Sequence, residues 1–452
     1  MVNYRCVAQQ PGGLLPGGIF MARLAILALL IALAGFRLIL LDYAELYSWD
    51  EAIYGCWGRA IAEHGVWFDQ TDYPVWDYQS RRYPPLFLWA MAASFRAFGV
   101  SEASARLVPA LSGVLLVVAA HWMGTRHGYR STGLWMALFV GLNYVLTHFS
   151  RFAMTESTYL LLLFLAFAAY QRSLSDKRKR WIVLSGFAFG LSVMTKGVVA
   201  LLFPLGGFLF SLLLLQRIPW TASTRRALPR SGIAFTNLAI ASALGLLLAA
   251  PWHLYMVVRQ GTPFIHDYFL WNVWERVTVG VDLQQKALGP LYYINQLPIR
   301  IPFGFALFLL SLFQLARWLQ IGRAIQEERP PEDEQGRRKE LQSSSDEHQA
   351  VTSLLFFSWF AVALAAFSIA QSKLVQYTPP IILPALVLAA LQADRIWRDG
   401  FWRRADYFVL TIPLILFWAA LTPWRLAVRR TIVAAIGSSP PPPPRPSPTP
   451  LP

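Results

Sequence analysis

Charge is what this chain lacks most. Asp, Glu, Lys and Arg make up 14% of its 452 residues, where a soluble domain carries about 25%. That is too little to cover a water-facing surface, so a soluble globular enzyme is excluded. Cysteine is nearly missing: Cys6 and Cys56 are the only two, which leaves no disulfide framework and no cysteine metal cluster. Acidic residues are the scarcer sign, 25 against 40 Lys and Arg, for a net charge of +15. Such an excess can mark a nucleic-acid surface. Here the positives gather in short loops between apolar runs, the topogenic bias of membrane proteins. No nucleic-acid partner is expected, and no repeat at a solenoid period is present.

What the chain has in quantity is hydrocarbon: 56% of its residues are hydrophobic and 14% aromatic, with a mean hydropathy of +0.42. Several apolar runs reach the roughly 20 helical residues that cross a hydrocarbon core of about 30 Å. The expectation is an all-α polytopic membrane protein with the bilayer as its first partner. About eleven spans are expected, at 22–41, 106–124, 132–149, 155–170, 181–195, 198–215, 233–251, 297–316, 351–370, 376–391 and 406–422. The first run is long and lacks a small-x-small cleavage site, so it reads as a retained span rather than a signal peptide. Residues 1–20 are Gly/Pro-rich and expected to be disordered, with Met21 an alternative start. The transmembrane domain then covers 21–422, and a Pro-rich tail covers 423–452. Segment 317–349 is polar and reads as a flexible cytoplasmic linker.

Lys and Arg set the orientation. Arg172, Lys177, Arg178, Lys179 and Arg180 crowd one loop, Arg217, Arg225, Arg226 and Arg230 a second, and Arg395, Arg398, Arg403 and Arg404 a third. All three fall on one side if the spans alternate, and that side is taken as cytoplasmic. The apolar stretch 85–99 is too short to cross and carries Arg96. It reads as interfacial, which preserves the alternation. Two large loops, 42–105 and 252–296, then face outward, and 42–85 holds eight acidic and three basic residues.

By the same parity Asp50, Glu51, Arg81, Arg82, Arg151, Glu156, Lys196, Arg276 and Lys373 reach the outer interface. Taken singly, each could be a snorkelling anchor or a solvated loop residue. Their recurrence at span ends on one side points to a binding site, because charges near hydrocarbon are costly. The mixture suits transfer of a sugar from a polyprenyl phosphate to a hydroxyl. A carboxylate must take the acceptor's proton, and fixed cations must stabilise the charge growing on the departing phosphate. Asp50 is the natural base, and Lys196, Lys373, Arg81 or Arg82 the natural phosphate clamps, arginine through its bidentate fork. Trp49, Tyr54, Trp57, Trp67, Trp76 and Tyr78 offer flat faces for a sugar ring or, equally, an interfacial aromatic belt. Asp50, Glu51 and Glu156 could hold a divalent metal, but no ligand spacing demands one. The competing class, a transporter or lipid-linked sugar flippase, predicts charges inside spans and broken helices near the midplane.

The string WDEAIYGCWGRAIAEHGVW resembles the outer-loop signature of the protein O-mannosyltransferase and aminoarabinose (lipid A) transferase superfamily, membrane glycosyltransferases of the C-type (GT-C) fold. RRYPPLFLW, RFAMTESTYLLLLF, LSVMTKGVVALLFP, APWHLYMVVRQGTPFIHDYFLWNVWERVTVG and IAQSKLVQYTPPIILPAL follow in the family's order, covering roughly residues 22–396. The resemblance implies an inverting transfer from a polyprenyl-phosphate-linked sugar to an envelope lipid, glycan or protein. It places the site on the outer (periplasmic) side of the inner, plasma membrane, with interfacial helices in the first outer loop. It implies Asp50 as catalytic carboxylate and Glu156 as the second acid, with Lys196 and Lys373 matching the basic residues of its motifs; Glu51, Tyr54, Arg81, Arg82, Tyr83, Arg276 and Tyr377 complete the expected substrate contacts. Many relatives have Phe-Glu-Lys before the double proline, where this chain has Arg81, Arg82 and Tyr83. Phosphate contact there falls to an arginine. The family's Glu-His in the second outer loop is also absent, with Asn272, Trp274, Glu275 and Arg276 in that neighbourhood. No soluble outer domain of the kind many relatives carry at the C terminus is expected after residue 422. Topology reporters placed at Asp72 and Asp176 are expected to lie on opposite sides of the membrane; the same side for both would break the span order.

Overall fold

The computed structural model describes residues 16–47, 49–75, 79–127, 130–176, 178–197, 199–215, 231–280, 288–321 and 334–399. Their regular structure is helical throughout, with no β-strand among the described residues. Helix α1 (Pro16–Leu38) is followed by a connection carrying α2 (Asp50–His64) and α3 (Leu86–Phe98). Then come α4 (Glu102–His127), α5 (Arg130–Leu142), α6 (Tyr144–Ser150), α7 (Glu156–Ser175), α8 (Arg180–Lys196), α9 (Val199–Leu215) and α10 (Ser231–Gln260). A second connection contains a π-helix (His266–Glu275). The chain closes with α11 (Tyr292–Arg300), α12 (Phe305–Ile321), α13 (Glu334–Ile369) and α14 (Pro379–Asp399).

Ten of the eleven expected spans fall on these helices, and 406–422 lies outside the described residues with the Pro-rich tail. Four helices, α4, α10, α13 and α14, are individually long and apolar enough to cross a membrane, and six if the bent pairs α5–α6 and α11–α12 each count as one span. Others, such as α8 and α9 at 17 residues each, fall short of a full crossing alone, so the described residues do not reach the count of eleven. The protein is a multi-pass membrane protein. Two expectations of disorder are corrected. Residues 16–20 are already helical, opening α1 with Pro16 at a position where its missing N–H costs nothing. Residues 334–349 of the expected linker form the start of α13. The 13-residue α3 is about 20 Å long, too short to cross, and packs on α2 and α4 instead.

Helix α14 is the axis of the bundle: its apolar stretch is 89% buried, against 33% for α10, which faces outward. Around α14 pack α5, α12 and α13, while α7, α8 and α10 form a second layer in which α8 runs antiparallel to α7 and parallel to α10. Lipid offers no hydrophobic driving force between helices, so close packing must hold them. Small residues supply it where α8 meets α10. A Cβ added at Gly190 would stand 2.7 Å from the Gly245 carbonyl oxygen, and one at Gly186 the same distance from that of Ala241. The 65° bend between α5 and α6 is not an open break. Asn143 caps α6 by accepting from Val145 and Leu146 N–H. The buried Arg37 donates to the Gly141 carbonyl at 2.9 Å and the Thr147 hydroxyl at 3.0 Å. Gly190→Ala should therefore push α8 and α10 apart and cost about 1–3 kcal/mol, read as a lowered unfolding midpoint in detergent.

Candidate active site

The start of α2, the start of α7, the end of α8, the π-helix and the turn before α14 meet at one end of the bundle around a cavity of about 310 Å³. Helix α2 is pinned by its apolar face, where Ile53, Trp57 and Ile61 pack on Phe87, Leu88, Met91 and Phe95 of α3. This sets Asp50, in its first turn, at the cavity wall. Among the described residues its carboxylate makes no hydrogen bond. Burial first, and then the Glu156 carboxylate, raise its pKa above the usual Asp value, partly offset by Lys196 and Arg276. A carboxylate so placed is short of hydrogen-bond donors and ready to take a proton.

Cations come from three other elements. Lys196 ends α8 and is followed by Gly197 at φ +77°, a left-handed turn favouring glycine, where a Cβ would also meet the Tyr268 hydroxyl at 2.9 Å. Its ammonium pairs with Glu156 and donates to the Thr155 hydroxyl at 3.2 Å. Tyr268 is held in turn by His253. The His253 Nδ1 faces the Ala249 carbonyl at 2.8 Å and so must donate; in the neutral ring Nε2 then accepts from the Tyr268 hydroxyl at 2.7 Å. Arg82 and Arg276 both stack over Trp271, 4.2 and 4.7 Å from its ring centre. Arg276 donates to the Tyr377 hydroxyl at 3.1 Å. Among the described residues the Nε atoms of both arginines are buried without a hydrogen-bond partner.

Eight of the eleven expected site residues line this cavity: Asp50, Tyr54, Arg82, Tyr83, Glu156, Lys196, Arg276 and Tyr377. Three do not. Glu51 is 1% exposed and turned into the protein, where it accepts from Arg106 at 2.9 and 3.0 Å and from the backbone N–H of Tyr47 and Ala153. Arg81 bonds to Asp267 at 2.7 Å. Lys373 folds back on the carbonyls of Phe367, Ser368 and Ala370, capping the C terminus of α13, where a cation is favoured. Arg151 caps α1 in the same way through the carbonyls of Phe36, Ile39 and Leu40.

Of the aromatics, Tyr54 reaches the cavity. Trp57 is fully buried and donates to the Tyr73 carbonyl, and Trp67 lies under Arg96. Trp76 and Tyr78 lie outside the described residues. Sequence reasoning missed Asp267, Tyr268 and Trp271. Their signal was faint: a carboxylate and two aromatics in an outer loop already rich in both. Although burial opposes it, hydrogen bonds from His266 and Arg81 and the nearby Arg82 charge hold Asp267 below the usual carboxylate range. No group of three His, Cys, Asp or Glu side chains suited to a metal forms among the described residues. Of the three carboxylates weighed for one, Glu51 is taken by Arg106 and Glu156 by Lys196.

The helical architecture is that of the C-type membrane glycosyltransferases. The crystal structure of ArnT from Cupriavidus metallidurans bound to undecaprenyl phosphate matches it with a TM-score of 0.62 at 20% identity, over 82% of this chain and 60% of that one. At that identity the likeness is one of fold. In sequence, the undecaprenyl phosphate-alpha-4-amino-4-deoxy-L-arabinose arabinosyl transferase of Enterobacter sp. (strain 638) is 25% identical over 413 residues, 88% of this chain and 66% of the relative. The enzyme of that name from Erwinia tasmaniensis is 27% identical over 385 residues, 82% and 60% of the two chains. The dolichyl-phosphate-mannose-protein mannosyltransferase family matches residues 26–269, more than half of the chain. The chain belongs to that family. It spans under two thirds of the length of these relatives.

Because Glu51 is the only carboxylate against the buried Arg106 guanidinium among the described residues, Glu51→Gln should destabilise the protein by about 3–5 kcal/mol. Tyr377→Phe, at the cavity wall, should leave the unfolding midpoint near wild type; equal midpoints for the two variants would contradict this division.

Proposed function

We propose that this protein transfers a sugar from a polyprenyl-phosphate donor to a hydroxyl or phosphate acceptor on an envelope lipid, glycan or protein. The observation that carries the reading is one cavity in which an unbonded carboxylate of raised pKa, Asp50, faces Lys196, Arg82 and Arg276. Family membership and the names of the relatives support the same chemistry. The cavity lies at the opposite end of α7, α8 and α14 from Arg172, Arg178, Lys179, Arg180, Arg395 and Arg398, which supports a site on the outer face of the inner membrane.

In this mechanism Asp50 accepts the acceptor's proton as the new oxygen–carbon bond forms at the anomeric carbon. The bond to the phosphate oxygen breaks, and its electron pair leaves with the polyprenyl phosphate. Arg82, Arg276 and Lys196 balance that charge. One displacement, with base and leaving group on opposite faces of the sugar, inverts the anomeric configuration. Glu156 holds Lys196 in place and raises the basicity of Asp50 by like-charge repulsion.

Asp50→Asn should lower transfer about 10²–10⁴-fold in a reconstituted assay while leaving the fold intact; full activity would overturn the assignment. In the wild type the acidic limb of the pH–rate profile should lie above the ordinary Asp range, because Asp50 must be ionised to act and its pKa is raised. Glu156→Gln removes one raising charge and releases Lys196, so whatever activity remains should show that limb moved to lower pH. An unmoved limb would separate it from Asp50.

A further inference from the structure

Arg81 and Arg82 are adjacent and chemically identical, yet the fold uses them differently. Both approach the same carboxylate oxygen, Oδ2 of Asp267, Arg81 through Nε at 2.7 Å and Arg82 through Nε at 3.6 Å. The first is a hydrogen bond; the second is too long to be one. The other Asp267 oxygen faces His266 Nδ1 at 3.2 Å. Arg82 makes no side-chain hydrogen bond among the described residues. Its guanidinium rests on Trp271, and its backbone carbonyl accepts from Asn272 at 2.5 Å. Arg82 lines the cavity and Arg81 does not.

The π-helix builds this arrangement. Its hydrogen bonds close at i+5 rather than i+4, and its contacts to the arginines recur at that interval. Asp267 and Asn272 both hold the 81–82 segment, and Trp271 and Arg276 stack on each other. A partly buried charge-assisted hydrogen bond is stronger than a cation–π contact. Arg81 holds the Asp267 oxygen that also faces Arg82 and leaves Arg82 Nε at ion-pair distance, 3.6 Å; without Arg81 that oxygen would accept from Arg82 and draw it off Trp271 and out of the cavity.

We propose that Arg81 is a positioning residue: by occupying Oδ2 of Asp267, it holds Arg82 Nε off at ion-pair distance and keeps the rest of the Arg82 guanidinium in the cavity to hold the phosphate of the lipid donor. The inference rests on the polyprenyl-phosphate reading of the site and assigns the two arginines separate tasks within it. Arg82 meets the phosphate, and Arg81 meets only its own protein's carboxylate.

The test measures binding of undecaprenyl phosphate and of neutral undecaprenol to the full chain in detergent, by ligand-induced shift of the unfolding midpoint. Wild type should prefer the phosphate. Arg82→Met should weaken phosphate binding about tenfold or more, the loss of a hydrogen bond to a charged group. Arg81→Met should do likewise although Arg81 is outside the cavity. Adding Asp267→Asn to Arg81→Met should restore binding to within about threefold of wild type, since double substitution then removes the competitor. Asp267→Asn alone should bind at least as tightly as wild type, and it reads the idea independently if Arg81→Met folds poorly. Binding unchanged in Arg81→Met, no rescue in the double variant, or weakened binding in Asp267→Asn would each overturn the positioning role while leaving the phosphate site intact. A wild type that does not distinguish phosphate from alcohol would instead remove the functional reading itself, and this role with it.

Discussion

The structure depends on the ion pair between Glu51 and Arg106. Both side chains are 1% exposed, and Glu51 also receives the backbone N–H groups of Tyr47 and Ala153 while Arg106 donates to the carbonyls of Leu41, Ala44 and Glu45. One buried contact thereby ties the end of the first helix, the start of α2, α4 and the approach to α7. A charge pair this deep is stable only because nearly every remaining donor and acceptor is met. Its consequence for chemistry is positional. Glu51 is anchored, so its neighbour Asp50, one residue back on the same helix, is turned to a different face and into the cavity.

The same economy of charge recurs throughout the site. Near hydrocarbon each ionised group requires a partner. Glu156 has Lys196, Arg81 has Asp267, and Lys373 and Arg151 close the ends of helices. Among the described charged residues lining the cavity, what remains without a hydrogen bond is a short set: the Asp50 carboxylate and much of the Arg82 and Arg276 guanidinium groups. These are the groups a proton-accepting, phosphate-holding reaction needs, and they face one cavity.

Legibility in the sequence followed the range of the forces involved. Helical class, membrane residence and the grouping of outer-loop charges were readable, because apolar run length and loop charge act locally along the chain. So was the gathering of Asp50, Glu156, Lys196, Arg276 and Tyr377 at one end of the bundle, through parity and motif order, and they line one cavity. The roles within adjacent pairs were not readable. Asp50–Glu51 and Arg81–Arg82 each look like one feature in the string of letters. The π-helix was equally hidden, since nothing in HDYFLWNVWE distinguishes a repeat of five from one of four.

By itself, then, the sequence determined that this chain is a helical membrane protein and which of its charged residues gather at one end of the bundle. Only the tertiary structure decided which carboxylate and which arginine face the cavity. The physical reason is that neighbouring residues on a helical turn point in different directions. Which of those directions meets a buried counter-charge is set by segments far away: Arg106, 55 positions from Glu51, and Asp267, 186 positions from Arg81.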